Sequence, residues 1–86
     1  MTYTLRQTKQ IIGHMGMTCR YDSEARELQV KFIGSKESGY FTNDRRDAIW
    51  TAAAMLNHLE RIPESSRPQV ARERVMSAVT ALGLRA

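Results

Sequence analysis

The residues of this chain that could move a proton or attack a substrate are two histidines and a single cysteine. His14 falls at the expected end of a first helix and His58 near the end of a second, where an imidazole complements the negative helix terminus. Cys19 alternates with Met17 and Tyr21 on the presumed core face of a strand, so its thiol is expected to act as a small buried hydrophobe. A lone cysteine forms no internal disulfide, and neither it nor the histidines stand at metal-ligand spacing, so no metal and no small-molecule cofactor are expected. With no placed imidazole, carboxylate or thiol pair, hydrolysis lacks its proton carrier, and the expectation is a binding protein rather than an enzyme. What remains is anion chemistry. Arg45 and Arg46 open a helix, where backbone N–H groups, the positive end of the dipole and two guanidiniums can converge on phosphate oxygens. Residues 1–21 add Arg6, Lys9 and Arg20 with no acid among them. The candidate nucleic-acid contacts are therefore Arg6, Lys9, Arg20, Arg45 and Arg46.

Those side chains need elements to hold them. Thr4-Leu5-Arg6-Gln7 fits a capping box, and Leu5, Ile12 and Met15 share a stripe with Ile11 at its edge, which predicts a helix over 5–15 closed by Gly16. From Met17 the period becomes two: Met17, Cys19 and Tyr21 share one face, and after the turn Asp22-Ser23-Glu24-Ala25, Leu28, Val30 and Phe32 share another. These segments, 17–22 and 27–33, read as a hairpin, with Tyr40-Phe41-Thr42 as a short third strand. Tyr40 and Phe41 are read as core residues, with the face each occupies left open. Thr42 or Asn43 is placed to cap a helix over 44–61, whose stripe is Ile49, Ala52, Ala53, Leu56 and Leu59, widened by Trp50, Met55 and Ile62. A Pro/Ser turn leads to a third helix over 67–82, with Ser66 and Gln69 as its capping box, Ala71, Val75, Ala78, Val79 and Leu82 as its stripe and a Schellman ending at Gly83. The predicted fold class is α+β: α-β-β-β-α with a three-stranded antiparallel sheet, plus a third C-terminal helix.

At 86 residues the chain suffices for one domain, with residues 4–62 as its core and the helix over 66–83 appended. Its net charge of +4 is uneven. The two ends are basic, Arg67, Arg72, Arg74 and Arg85 facing Glu73 alone in the last segment, and a basic surface concentrates phosphate-bearing partners. No apolar run approaches the roughly 18 residues of a membrane span, and Met1-Thr2-Tyr3-Thr4 carries no leader pattern, so a cytoplasmic protein without membrane contact is expected.

The element order resembles the scaffold of double-stranded-RNA-binding domains. That family opens its last helix with a Lys-Lys-x-Ala-Lys-x-x-Ala-Ala pattern, and Arg45-Arg46-Asp47-Ala48-Ile49-Trp50-Thr51-Ala52-Ala53 is similar, with Ile49 at the third base. The resemblance implies phosphate contact by Arg45 and Arg46. The turn Asp22-Ser23-Glu24-Ala25 stands where the family carries a Gly-Pro-x-His loop. The same order resembles HicA-type RNA-cleaving toxins, whose histidine in the hairpin region has no counterpart in this chain.

Two functions follow as expectations. One is non-catalytic binding of RNA or DNA through the five basic residues. The alternative is a protein-interaction module or homodimer of the kind small phage and mobile-element proteins provide to inhibit or adapt a host complex, using Trp50 and Met55 as interface residues.

Overall fold

A computed structural model describes residues 2–84. The order is α1 (Leu5–His14), β1 (Met17–Asp22), β2 (Glu27–Phe32), β3 (Tyr40–Thr42), α2 (Arg45–Leu59), one 3-10 turn (Glu64–Ser66) and α3 (Arg67–Ala81). Both halves of the first capping box form: Gln7 N–H donates to Thr4 Oγ1 at 3.1 Å and Thr4 N–H to Gln7 Oε1 at 2.9 Å. Thr8 lies buried beside Ile11 and Ile12, and its hydroxyl donates to the Thr4 carbonyl at 2.8 Å, which removes the cost of burying it.

The sheet is an antiparallel meander in the order β1-β2-β3. Pairing of Met17 with Phe32 and of Cys19 with Val30 puts these residues on the helix-facing side. Tyr40 lies opposite Val30 and so also faces the helices, whereas Phe41 lies opposite Gln29, faces outward and is 48% exposed. The core reading of both aromatics thus holds for neither completely: alternation along β3 sends the two rings to opposite faces, and Tyr40 sits at the sheet edge, still exposed. Gly39 sets the entry to β3. It has φ +80°, and a Cβ there would stand 2.4 Å from the Val30 carbonyl oxygen, so any other residue forces β3 away from β2.

Asp44 caps α2, its carboxylate accepting from the N–H groups of Arg46 and Asp47 at 2.9 and 3.1 Å. Neither Thr42 nor Asn43, the two expected caps, fills that place: Thr42 Oγ1 instead accepts from Asp44 N–H and fixes the approach. The buried stripe of α2 is Ala48, Ile49, Ala52, Ala53, Leu56 and Asn57; its alanines let the helix lie close to its neighbours. Leu59, expected in that stripe, is 61% exposed. The helix stops there in a Schellman turn, with Ile62 N–H donating to Asn57 O and Arg61 N–H to His58 O, and Ile62 is half-buried where the chain folds back. Arg61 supplies the left-handed residue of this turn at φ 56°. A side chain in that conformation carries strain that glycine does not, so Arg61→Gly is expected to raise stability by about 0.5–1 kcal/mol, read from the urea midpoint.

Ser66 does not cap α3. The 3-10 turn runs straight into the helix, Ser66 has helical backbone angles and makes no side-chain cap, and Gln69 bonds Glu73 instead. The far end is the expected Schellman motif, with Gly83 N–H on Thr80 O and Leu84 N–H on Val79 O. Helices α1 and α2 pack on the sheet, and α3 packs on both helices. Val75, Ala78 and Val79 of α3 join one core with Ile11, Met17, Val30 and Ala52, so the third helix is an integral layer. Among the described residues no helix is long and apolar enough to cross a membrane.

Candidate nucleic-acid interface

Asp44 and Asp47 place negative charge beside Arg45 and Arg46, so the partners of these carboxylates decide what the arginines can do. Asp44 is turned onto the backbone as the helix cap. Consequently two of the N–H groups expected to meet a phosphate at the start of α2 are already taken, which leaves the guanidiniums as the stronger anion donors at this helix end. Asp47 accepts the Tyr40 hydroxyl at 2.7 Å and that of Thr51 at 3.5 Å. The Tyr40 bond, followed by Thr42 and Thr51, holds the Asp47 carboxyl below its ordinary 3.8, and the same bond raises the Tyr40 phenol above its ordinary 10.0.

The signs follow by linkage. A lowered folded pKa at Asp47 stabilises the fold above the ordinary carboxylate range and is lost as pH falls through the lowered value; a raised one at Tyr40 stabilises below 10.0 and is lost as pH rises through the raised value. Tyr40→Phe is therefore expected to remove the alkaline loss and weaken the acid one, seen in urea midpoints across pH. Equal pH profiles for the variant and the parent protein count against the bond.

Neither aspartate forms an ion pair with an arginine among the described residues. Arg45 reaches back to the segment before α1, its Nη1 donating to the Tyr3 carbonyl at 3.1 Å. The Arg46 guanidinium has no partner among the described residues; the ion pair found there joins Arg74 to Glu60 at 2.8 Å. Both arginines border a groove of about 800 Å³, opened between the start of α2, the segment before α1 and the middle of α3. Its walls include Tyr3 and Asn43 together with the apolar side chains Ile49, Trp50, Val75 and Met76.

The remaining predicted contacts separate. Arg6 and Lys9 are exposed on α1, away from its buried stripe. Lys9 approaches Cys19 closely enough to favour its thiolate, although burial is the larger influence and pushes that pKa up. Cys19 is half-buried rather than enclosed, because it lies on edge strand β1. Arg20 lies opposite Gln29 on the outer face of the sheet, across the strands from the helices that carry Arg6, Lys9, Arg45 and Arg46. The proposed interface residues also part. Trp50 borders the groove and packs on the core, while Met55, half-buried, stands roughly 140° away around α2. Phe32 and Phe41 occupy opposite faces of the sheet, so they form no joint stacking platform.

The arginines of α3 divide in the same way. Arg67 Nε donates to the Ile62 carbonyl and Arg74 Nε to Asn57 Oδ1, both at 2.8 Å, which makes them joints of the fold. Arg72 is exposed, and Arg85 lies outside the described residues. His14 and His58 are exposed at the last turns of α1 and α2. No cluster of metal-binding side chains occurs among the described residues.

Met76 and Tyr3 were not singled out by sequence. Met76 lies off the apolar stripe of α3 and Tyr3 precedes the first helix, so periodicity gives no signal for either. Comparison with family models, with curated proteins and with solved structures finds no match to this chain.

Proposed function

We propose that this is a non-catalytic nucleic-acid-binding protein that contacts phosphates through the guanidiniums at the start of α2, with Arg6 and Lys9 of α1 adding attraction. The observation that supports this most is the charge state of that corner. Asp44 and Asp47 are held by backbone and hydroxyl donors rather than by arginines, so Arg46 faces solvent with its charge unmatched among the described residues. An α-β-β-β-α order like that of double-stranded-RNA-binding domains and an excess of basic residues in a chain of net charge +4 point the same way.

The test is a gel-shift series on single- and double-stranded RNA and DNA near physiological salt. Binding at micromolar concentration or tighter, weakening as salt rises, is the expected result. Absence of any shift favours the second reading, a protein-interaction module or homodimer. That reading draws on Ile33 and Phe41, 68% and 48% exposed, of which Phe41 stands on the sheet face that no helix covers.

A further inference from the structure

We infer that the groove beside α2 receives an unstacked base of a single-stranded nucleic acid, with an adjoining phosphate held by Arg46. The inference rests on the nucleic-acid reading above and specifies its ligand. Phosphate contact alone requires guanidiniums on an open surface. Here they border a recess of about 800 Å³ walled by Ile49, Trp50, Val75 and Met76. Trp50 is half-buried and Met76 is 37% exposed, so an indole and a thioether remain in contact with water next to a cation unmatched among the described residues. A base of a duplex is stacked and paired and cannot enter such a recess, whereas a base of a single strand offers a π-face to the indole and the apolar walls while its own phosphate stays within reach of the rim. Polarizable sulfur beside the ring suits the same occupant.

The competing surface is the outer face of the sheet. It presents Phe41 without a second ring, since Phe32 points the other way. Among the described residues, only the groove combines an accessible indole with a cation that lacks a partner.

The chain contains a single tryptophan, so its emission reports on Trp50 alone. The experiment titrates the full chain with oligo-dT, with a DNA hairpin duplex and with an abasic strand of equal length that keeps the phosphates and lacks the bases. Oligo-dT is expected to quench Trp50 emission and to bind about tenfold more tightly than the abasic strand, the advantage a stacked base confers. Trp50→Leu should remove that tenfold advantage and leave the salt dependence unchanged. Met76→Gln, a neutral change at an exposed position, should narrow the advantage of oligo-dT over the abasic strand, and it keeps the test valid if the Trp50 variant fails to fold. An abasic strand or duplex that binds as tightly as oligo-dT, with Trp50 emission unchanged, overturns the groove inference and leaves phosphate binding standing. Failure of all three probes and of oligo-U to bind overturns both.

Discussion

Replacing Asn57 with alanine is expected to cost about 2–4 kcal/mol, the largest effect of any single polar substitution in this protein. Asn57 is 1% exposed in the middle of an apolar interface, and its carboxamide is engaged at both ends. Nδ2 donates to the Arg67 carbonyl at 2.9 Å, and Oδ1 accepts from Arg74 Nε at 2.8 Å. Truncation leaves a carbonyl at the start of α3 and the Nε–H of a largely buried guanidinium without their partners, and those stranded groups cost more than the two bonds contribute net. A chain of 86 residues has a total stability on the order of 4–13 kcal/mol, so the loss is a large share of it. At roughly 4–8 °C per kcal/mol, the melting temperature should fall by about 8–32 °C. Glu60→Gln is the control. It removes the charge of the Arg74 partner whose side chain is 50% exposed, and a pair so open to solvent is worth at most about 1 kcal/mol. If the two variants melt together, the carboxamide is not the joint between α2 and α3.

Changing both Arg45 and Arg46 to alanine is expected to lower the slope of log K against log salt by nearly two units on duplex, about 0.9 for each phosphate released, and by about 1.4 on a single strand. Near physiological salt the affinity should fall by about tenfold for each arginine lost. Arg46→Ala is the cleaner single change, because Arg45 also holds the Tyr3 carbonyl and its loss loosens the segment before α1. Arg20 provides the contrast. It lies on the far face of the sheet, so Arg20→Ala should leave the slope where it is. Equal drops for Arg20 and Arg46 would mean that the nucleic acid wraps the sheet rather than sitting on the helices. An unchanged slope in the double variant removes the start of α2 from the site.

Much of the fold is legible in local pattern. The Thr4/Gln7 capping box, the two-residue period of the hairpin and the Gly83 ending each involve residues within a few positions of one another, and each forms as read. The misreadings share a cause. Ser66 was read as a cap because its residue type suits one, but the 3-10 turn before it supplies helical geometry in advance. Leu59 continues the stripe of α2 by spacing, yet the Schellman turn ends the helix where no packing partner remains. Asn57 gives no sequence signal, because a polar residue beside an apolar stripe looks like a solvated one.

The candidate site was legible in type and not in grouping. Sequence alone established a basic, α+β chain whose one paired-arginine segment opens a helix, because composition, periodicity and capping are local properties. Tertiary structure decided which cations are available. It placed Arg20 behind the sheet, engaged Arg67 and Arg74 in the joint with α2, turned Asp44 and Asp47 away from the arginines, and set Trp50 and Met76 together in one groove. A charge or a ring acquires its role from neighbours that are distant in sequence, and only the packing of α3 against α1 and α2 brings those neighbours together.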